Sequence, residues 1–176
     1  MGLAEDLSYI ESLFQPSFAL IKYLEEKREI SFKSYSEDHF KKNLTVVAAS
    51  YLEHRLGSIL TEIIKQKCSD PKFQYFAINK GLERQFQTFF DFKTTNVNKF
   101  LALFGEEFKS MICKEIDADK ELTEQMTAFM EILRIRNDLV HNNYIIFPAS
   151  ATLTEIYEKT KNGIIFLDYI GQKLAA

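Results

Sequence analysis

The chain has 176 residues, a net charge of −3, 46% hydrophobic and 27% charged residues, and many aromatics (16 Phe, 8 Tyr) but no Trp. That size reads as one domain, 1–176, able to bury a substantial core. Six Gly and three Pro are too few for the tight turns of an all-β fold, and the chain as a whole lacks the basic balance of a nucleic-acid binder.

Residues 3–29 carry helical periodicity through Leu3, Leu7, Ile10, Leu13, Phe14, Leu20, Ile21 and Leu24. Pro16 predicts a break or kink, with a second piece starting near it. A polar connector is expected over Ser31 to Ser36. Ser36 then reads as an N-cap with Glu37 and Asp38 in the first turn. It opens the clearest helix, about 37–67, with a stripe running from Phe40 through Leu44, Leu52, Leu56 and Leu60 to Ile64. A helix of that length is a central spine, and its spare length often packs on a partner. Ser69-Asp70-Pro71 ends it.

The aromatic stretch 72–105 predicts shorter pieces, one capped by Asn79 over about 80–90. Another follows Asn96 over about 97–104 and stops at Gly105. A helix over about 106–116 follows, then one from near Asp117 or Asp119 to about His141, with Leu122, Met126, Phe129, Met130, Leu133 and Leu139 inward. After Pro148 and Ser150, Thr152 or Thr154 caps a last helix to about Leu174, softly interrupted at Gly163. The expectation is an all-α bundle of about six helices around one long central helix.

Charge is unevenly spread. Lys65 to Lys99 holds seven Lys/Arg against three acids, whereas Phe100 to Glu131 holds eight acids against three Lys. Solvated faces are one reading of this; a basic stripe guiding a phosphate backbone is the other. Cys68 and Cys113 lack metal-ligand spacing and read as reduced, buried thiols. Glu5 and Asp6 precede any apolar run, so the N-terminus does not read as a signal peptide. No stretch approaches the roughly 18–20 apolar residues of a membrane span. The expected compartment is cytoplasmic, with no membrane partner.

No nucleotide-binding glycine loop, nucleophile elbow, HExxH or Cys/His cluster is present, so neither a cofactor nor a metal is expected. Of the three His, His39 reads as surface and His54 as part of a solvated charged face. The remaining candidate is Arg136-Asn137-Asp138-Leu139-Val140-His141, with Asn142-Asn143-Tyr144 after it. It gathers a fixed cation, an imidazole and several amides at the end of a helix. Five positions on a regular helix leave Arg136 and His141 about 140° apart. They line one cleft only if the helix distorts or the cleft includes another element, such as a second copy of the chain. The plain alternative is a surface Arg and a helix-end His that complements the dipole.

Arg136 to His141 resembles the R-x4–6-H signature of the HEPN superfamily (higher eukaryotes and prokaryotes nucleotide-binding), including the polar residue directly after the Arg. Tyr51-Leu52-Glu53-His54-Arg55-Leu56 and the run from Thr95 to Gly105 resemble the bacterial HEPN branch that covers the RiboL-PSP-HEPN and MAE-type proteins. Together these stretches cover about 40–145. The resemblance implies a metal-independent endoribonuclease, usually a homodimer with its active cleft at the interface. RNA carries its own nucleophile in the ribose 2′-OH, so the protein need only move protons and stabilise charge. His141 would be general base or acid, and Arg136 would clamp the phosphate. Asn137 would orient His141 or contact a phosphate oxygen, or simply make a helix-end hydrogen bond. Glu53 would orient Arg136, or be a surface acid. The products would be a 2′,3′-cyclic phosphate and a 5′-OH.

One departure matters. HEPN toxins modified by nucleotidyltransferase antitoxins read H-x-Y after the Arg, but here Tyr144 follows His141 with two residues between, so that modification is not carried over. The expected role is a toxin or abortive-infection effector acting on RNA, with an antitoxin or defence-system protein as partner. The alternatives are a non-catalytic HEPN module that binds RNA or nucleotide and mediates dimerisation or assembly, and a helical adaptor in which the motif is coincidence.

Overall fold

The computed structural model describes residues 3–142, Tyr144 and 151–176. Among these no strand occurs, and the long elements are four helices: α1 (Leu3–Glu26), α2 (Ile30–Lys67), α7 (Lys120–His141) and α8 (Leu153–Ala175). Between α2 and α7 lie α3 (Pro71–Ala77), a π turn at Ile78–Leu82, single-turn helices α4 (Phe86–Phe89) and α5 (Asn98–Leu101), and α6 (Glu106–Ala118). The all-α bundle is as expected; the count exceeds six because the aromatic stretch divides into several short turns.

At the start of the chain neither the expected break nor the expected connector occurs. Pro16 does not split α1, which runs unbroken from Leu3 to Glu26. The carbonyl that Pro16 leaves without an amide donor belongs to Ser12, and both residues are exposed, so water can satisfy it. Nor is Ser31 to Ser36 a connector. The reversal is confined to Lys27–Glu29, where Arg28 adopts φ 58°, and α2 begins at Ile30 without a side-chain cap. Lys33 reaches back to Glu25 at 3.0 Å, which ties the extra turns to α1. With 38 residues, α2 is about 57 Å long. Its first turns leave Ile30, Phe32 and Tyr35 about two-thirds exposed.

Later boundaries follow their local chemistry. Asp70 accepts from the Lys72 amide, with Pro71 as first helical residue of α3. Asn79 caps nothing: it lies inside the π turn and donates to the Tyr75 carbonyl. Asn96 instead accepts from the amide of Asn98 at 3.1 Å, at the start of α5. Gly105, at φ 99°, makes the turn into α6 that a side chain would strain. Asp119 caps α7, and Thr152 with Glu155 forms a reciprocal capping box on α8. The break expected at Pro148 and Ser150, and Asn143, lie outside the described residues.

The core is built where α2, α7 and α8 meet, with Ile10 and Phe14 of α1 closing one side. Leu52, Phe129, Met130, Ile164 and Phe166 are all essentially inaccessible. Burying each such side chain contributes roughly 1.5–3 kcal/mol. Gly163 does not interrupt α8; a Cβ there would lie 3.2 Å from the Leu52 side chain and 3.4 Å from Phe129 Cα. Its role is close helix approach. Aromatic rings then carry the core outward: Phe166 packs on Phe129 and Phe129 on Phe90, and Phe90 stacks on Phe100. This ladder fixes the irregular 86–104 segment against α7. The two thiols are half-buried rather than buried; Cys113 contacts Asn98 at 3.3 Å.

Candidate active site on α7

The helix carrying the motif is regular to its end. The Asn142 amide still donates to the Asp138 carbonyl at 2.9 Å, so α7 does not distort between Arg136 and His141. The side chains therefore leave the helix about 140° apart. Arg136 continues the stripe of Phe129 and Leu133, at i+7 and i+3, which faces the bundle. It meets Glu53 of α2 there, with Arg136 Nη2 3.9 Å from Glu53 Oε2. That separation is a charge contact, not a hydrogen bond. Both side chains are partly solvated, so it contributes no more than about 1 kcal/mol to stability.

His141 is the last residue of α7 and is exposed, with no hydrogen-bonding or ionic partner among the described residues. Asn137, one turn earlier, sits about 40° from it around the helix. Asn137 does not face Glu53. It lines a cleft of about 490 Å³ together with Phe92, Lys93, Lys99 and Asp138. Arg134 is the cation on the His141 side: seven residues return it to within about 20° of His141, and it holds Asp138 at 3.4 Å. Sequence reading passed over Arg134 because the R-x4-H pattern points at Arg136. The i, i+7 spacing was the available signal. Within one copy, then, the structure groups Glu53 with Arg136, and Asn137 and Arg134 with His141.

Tyr144 lies beside α2, its ring centroid 5.8 Å from Lys42 Nζ. His39 is exposed and packs on Tyr35, and His54 is exposed on α2. Neither is near Arg136 in the contacts described.

Tyr51 and Arg55 of the Tyr51–Leu56 stretch face α1 and α8 instead. Tyr51 donates to Asp6 of α1, and Arg55 donates to Asp168 of α8 at 2.6 Å while also contacting Asp6 at 3.2 Å. Asp6 is fully buried. Burial, and then the hydrogen bond to Asp6, push the Tyr51 hydroxyl well above its ordinary value. This network ties three helices together.

The family model described as RiboL-PSP-HEPN matches residues 18–176. The chain belongs to the RiboL-PSP-HEPN family. The match extends well beyond the 40–145 carried by the sequence motifs, taking in the later part of α1 and all of α8. It therefore includes both the Glu53–Arg136 pair and the His141 face in one HEPN fold. No curated protein and no solved structure matches the chain. Among the described residues no helix is long and apolar enough to cross a membrane.

Proposed function

We propose that this HEPN protein is a metal-independent endoribonuclease whose site is completed by a second copy of the chain. The observation that carries the reading is the state of the two motif residues. Arg136 is steadied by Glu53, and His141 is exposed at a helix end where a large substrate can reach it. Because an unbroken helix directs them apart, Arg136 of one copy meets His141 of the other across a two-fold axis. In the reaction an imidazole of His141 withdraws the ribose 2′-OH proton as the oxygen bonds to phosphorus. The P–O5′ bond breaks, and the leaving oxygen takes a proton from an imidazolium or from water. Arg136 stabilises the added negative charge on the phosphoryl oxygens. The role proposed for this activity is that of a toxin or abortive-infection effector restrained by a partner protein.

Purified protein should cut single-stranded RNA in EDTA, leave the matching DNA intact, and yield 2′,3′-cyclic phosphate ends. His141→Ala should reduce cleavage about 10²–10⁴-fold with an unchanged circular dichroism spectrum. Cleavage that persists in His141→Ala contradicts the mechanism. Binding of RNA without cleavage by the unaltered protein favours the non-catalytic HEPN module instead.

A further inference from the structure

The cleft beside Asn137 has features that the proposed transesterification does not require. Its outer wall is the irregular segment from Phe90 to Lys99, held rigidly because Phe90 packs at 5.4 Å on both Phe100 and Phe129. The Lys93 amide is bound by Asp91 Oδ1 at 3.0 Å, and Thr94 donates to the Asp91 carbonyl, so the turn carrying Lys93 is closed on itself. Lys99 Nζ rests on the Phe90 carbonyl at 3.5 Å, at the rim of the same cleft. Both lysines are exposed, and neither has a carboxylate partner among the described residues. Two acids line the cleft as well: Asp138 is paired with Arg134 at 3.4 Å, whereas the exposed Asp91 accepts from the backbone amide of Lys93 and keeps its charge. With Asp138 paired, Lys93 and Lys99 outnumber Asp91 on an open groove, and Phe92 adds a half-buried ring to its wall.

The opposite wall is the α7 face that carries Asn137 and, one turn or about 6 Å further along, His141. His141 is not itself part of the cleft wall; it stands beyond the Asn137 end of it. The occupant that fits is a flexible polyanion with stackable rings. Lysines neutralise phosphates without reading sequence, and an aromatic side chain stacks an unpaired base.

We infer that the cleft between α7 and the Phe90–Lys99 segment seats the single strand flanking the scissile phosphate, with Lys93 and Lys99 on its phosphates and Phe92 against a base. This rests on the ribonuclease reading for its substrate, but the cleft makes its own demand. Its contacts are to phosphates and a base face, so it should hold single-stranded DNA about as well as RNA, even though only RNA is cut.

The test is fluorescence anisotropy of the full chain with a 2′-O-methyl RNA, which has no free 2′-OH, and with the matching DNA, across a salt series. Lys93→Gln with Lys99→Gln should weaken binding of both by about tenfold or more at low salt. It should also flatten the slope of log affinity on log salt by about 1.4, the value for two single-strand phosphate contacts. Phe92→Leu should weaken binding several-fold, about the loss of one stacked base, with the slope unchanged. Lys65→Gln with Lys67→Gln, the same charge change at the far end of α2, should leave both quantities as they are. If the cleft variants bind like the unaltered protein, or if the α2 control weakens binding equally, the cleft assignment is overturned, while cleavage of RNA by the unaltered protein would leave the ribonuclease reading standing. If cleft variants lose binding but the unaltered protein never cuts RNA, the cleft stands and the catalytic reading falls.

Discussion

Two ionic groups grow from one short stretch of α2, and they have opposite characters. Tyr51 and Arg55, one turn apart, face α1 and α8 and join Asp6 and Asp168 in a network with an inaccessible carboxylate at its centre. Glu53, between them, turns toward α7 and makes a loose, partly solvated contact with Arg136. In the first group Arg55 is shared between two carboxylates, one of them fully buried. In the second, one carboxylate stands 3.9 Å from the guanidinium and both side chains are partly solvated. Dense, dry ionic contact marks a joint of the bundle; sparse, wet contact leaves a charge available for chemistry. Tyr51–Leu56 resembles the family as a single stretch, but its residues make both kinds of contact.

The contrast predicts different losses from neighbouring substitutions. Arg55→Ala leaves the Asp6 and Asp168 carboxylates without their shared cation, and should destabilise the fold by about 3–5 kcal/mol, read as a lower urea midpoint. A midpoint within a few tenths of molar of the unaltered protein would show that the network does not hold the helices together. Glu53→Gln, by comparison, should leave the urea midpoint nearly unchanged, since it removes under about 1 kcal/mol. Its effect should appear in kcat for RNA cleavage, lowered by about tenfold with KM little altered, as expected when a transition-state contact loses its aim. An equal loss in stability and none in kcat would make Glu53 a structural residue like its neighbours.

How far these features could be read from sequence depends on the distance over which their causes act. Asp119, Thr152 with Glu155, and Gly105 act within one turn of themselves, and each sits at the boundary its chemistry predicts. The apolar stripe of α7 likewise turns inward as its spacing demands. Ser36 misleads because Ser followed by two acids is a good start signal wherever it falls, yet the helix has already begun at Ile30, held by a side-chain contact from Lys33 to Glu25. Pro16 misleads because its penalty depends on whether the orphaned carbonyl meets water.

In the site, the five-residue spacing of Arg136 and His141 already implies that one regular helix separates them, and the regular end of α7 agrees with that geometry. The Glu53 contact is anticipated only through family resemblance. The Asn137 cleft is out of reach, since Lys93 and Lys99 come to α7 through the docking of Phe90 on Phe129, a contact between residues far apart in the chain.

The central claim is that Arg136 and His141 act together across two copies. Subunit complementation tests it most directly. Arg136→Ala and His141→Ala proteins, each inactive alone, are mixed under conditions that exchange subunits, and cleavage of a fluorescent RNA is followed. A two-fold site shared between copies gives each mixed dimer one intact Arg136–His141 pair, so the mixture should recover about a quarter of unaltered activity. A mixture that exchanges subunits yet stays as inactive as its components would contradict the account.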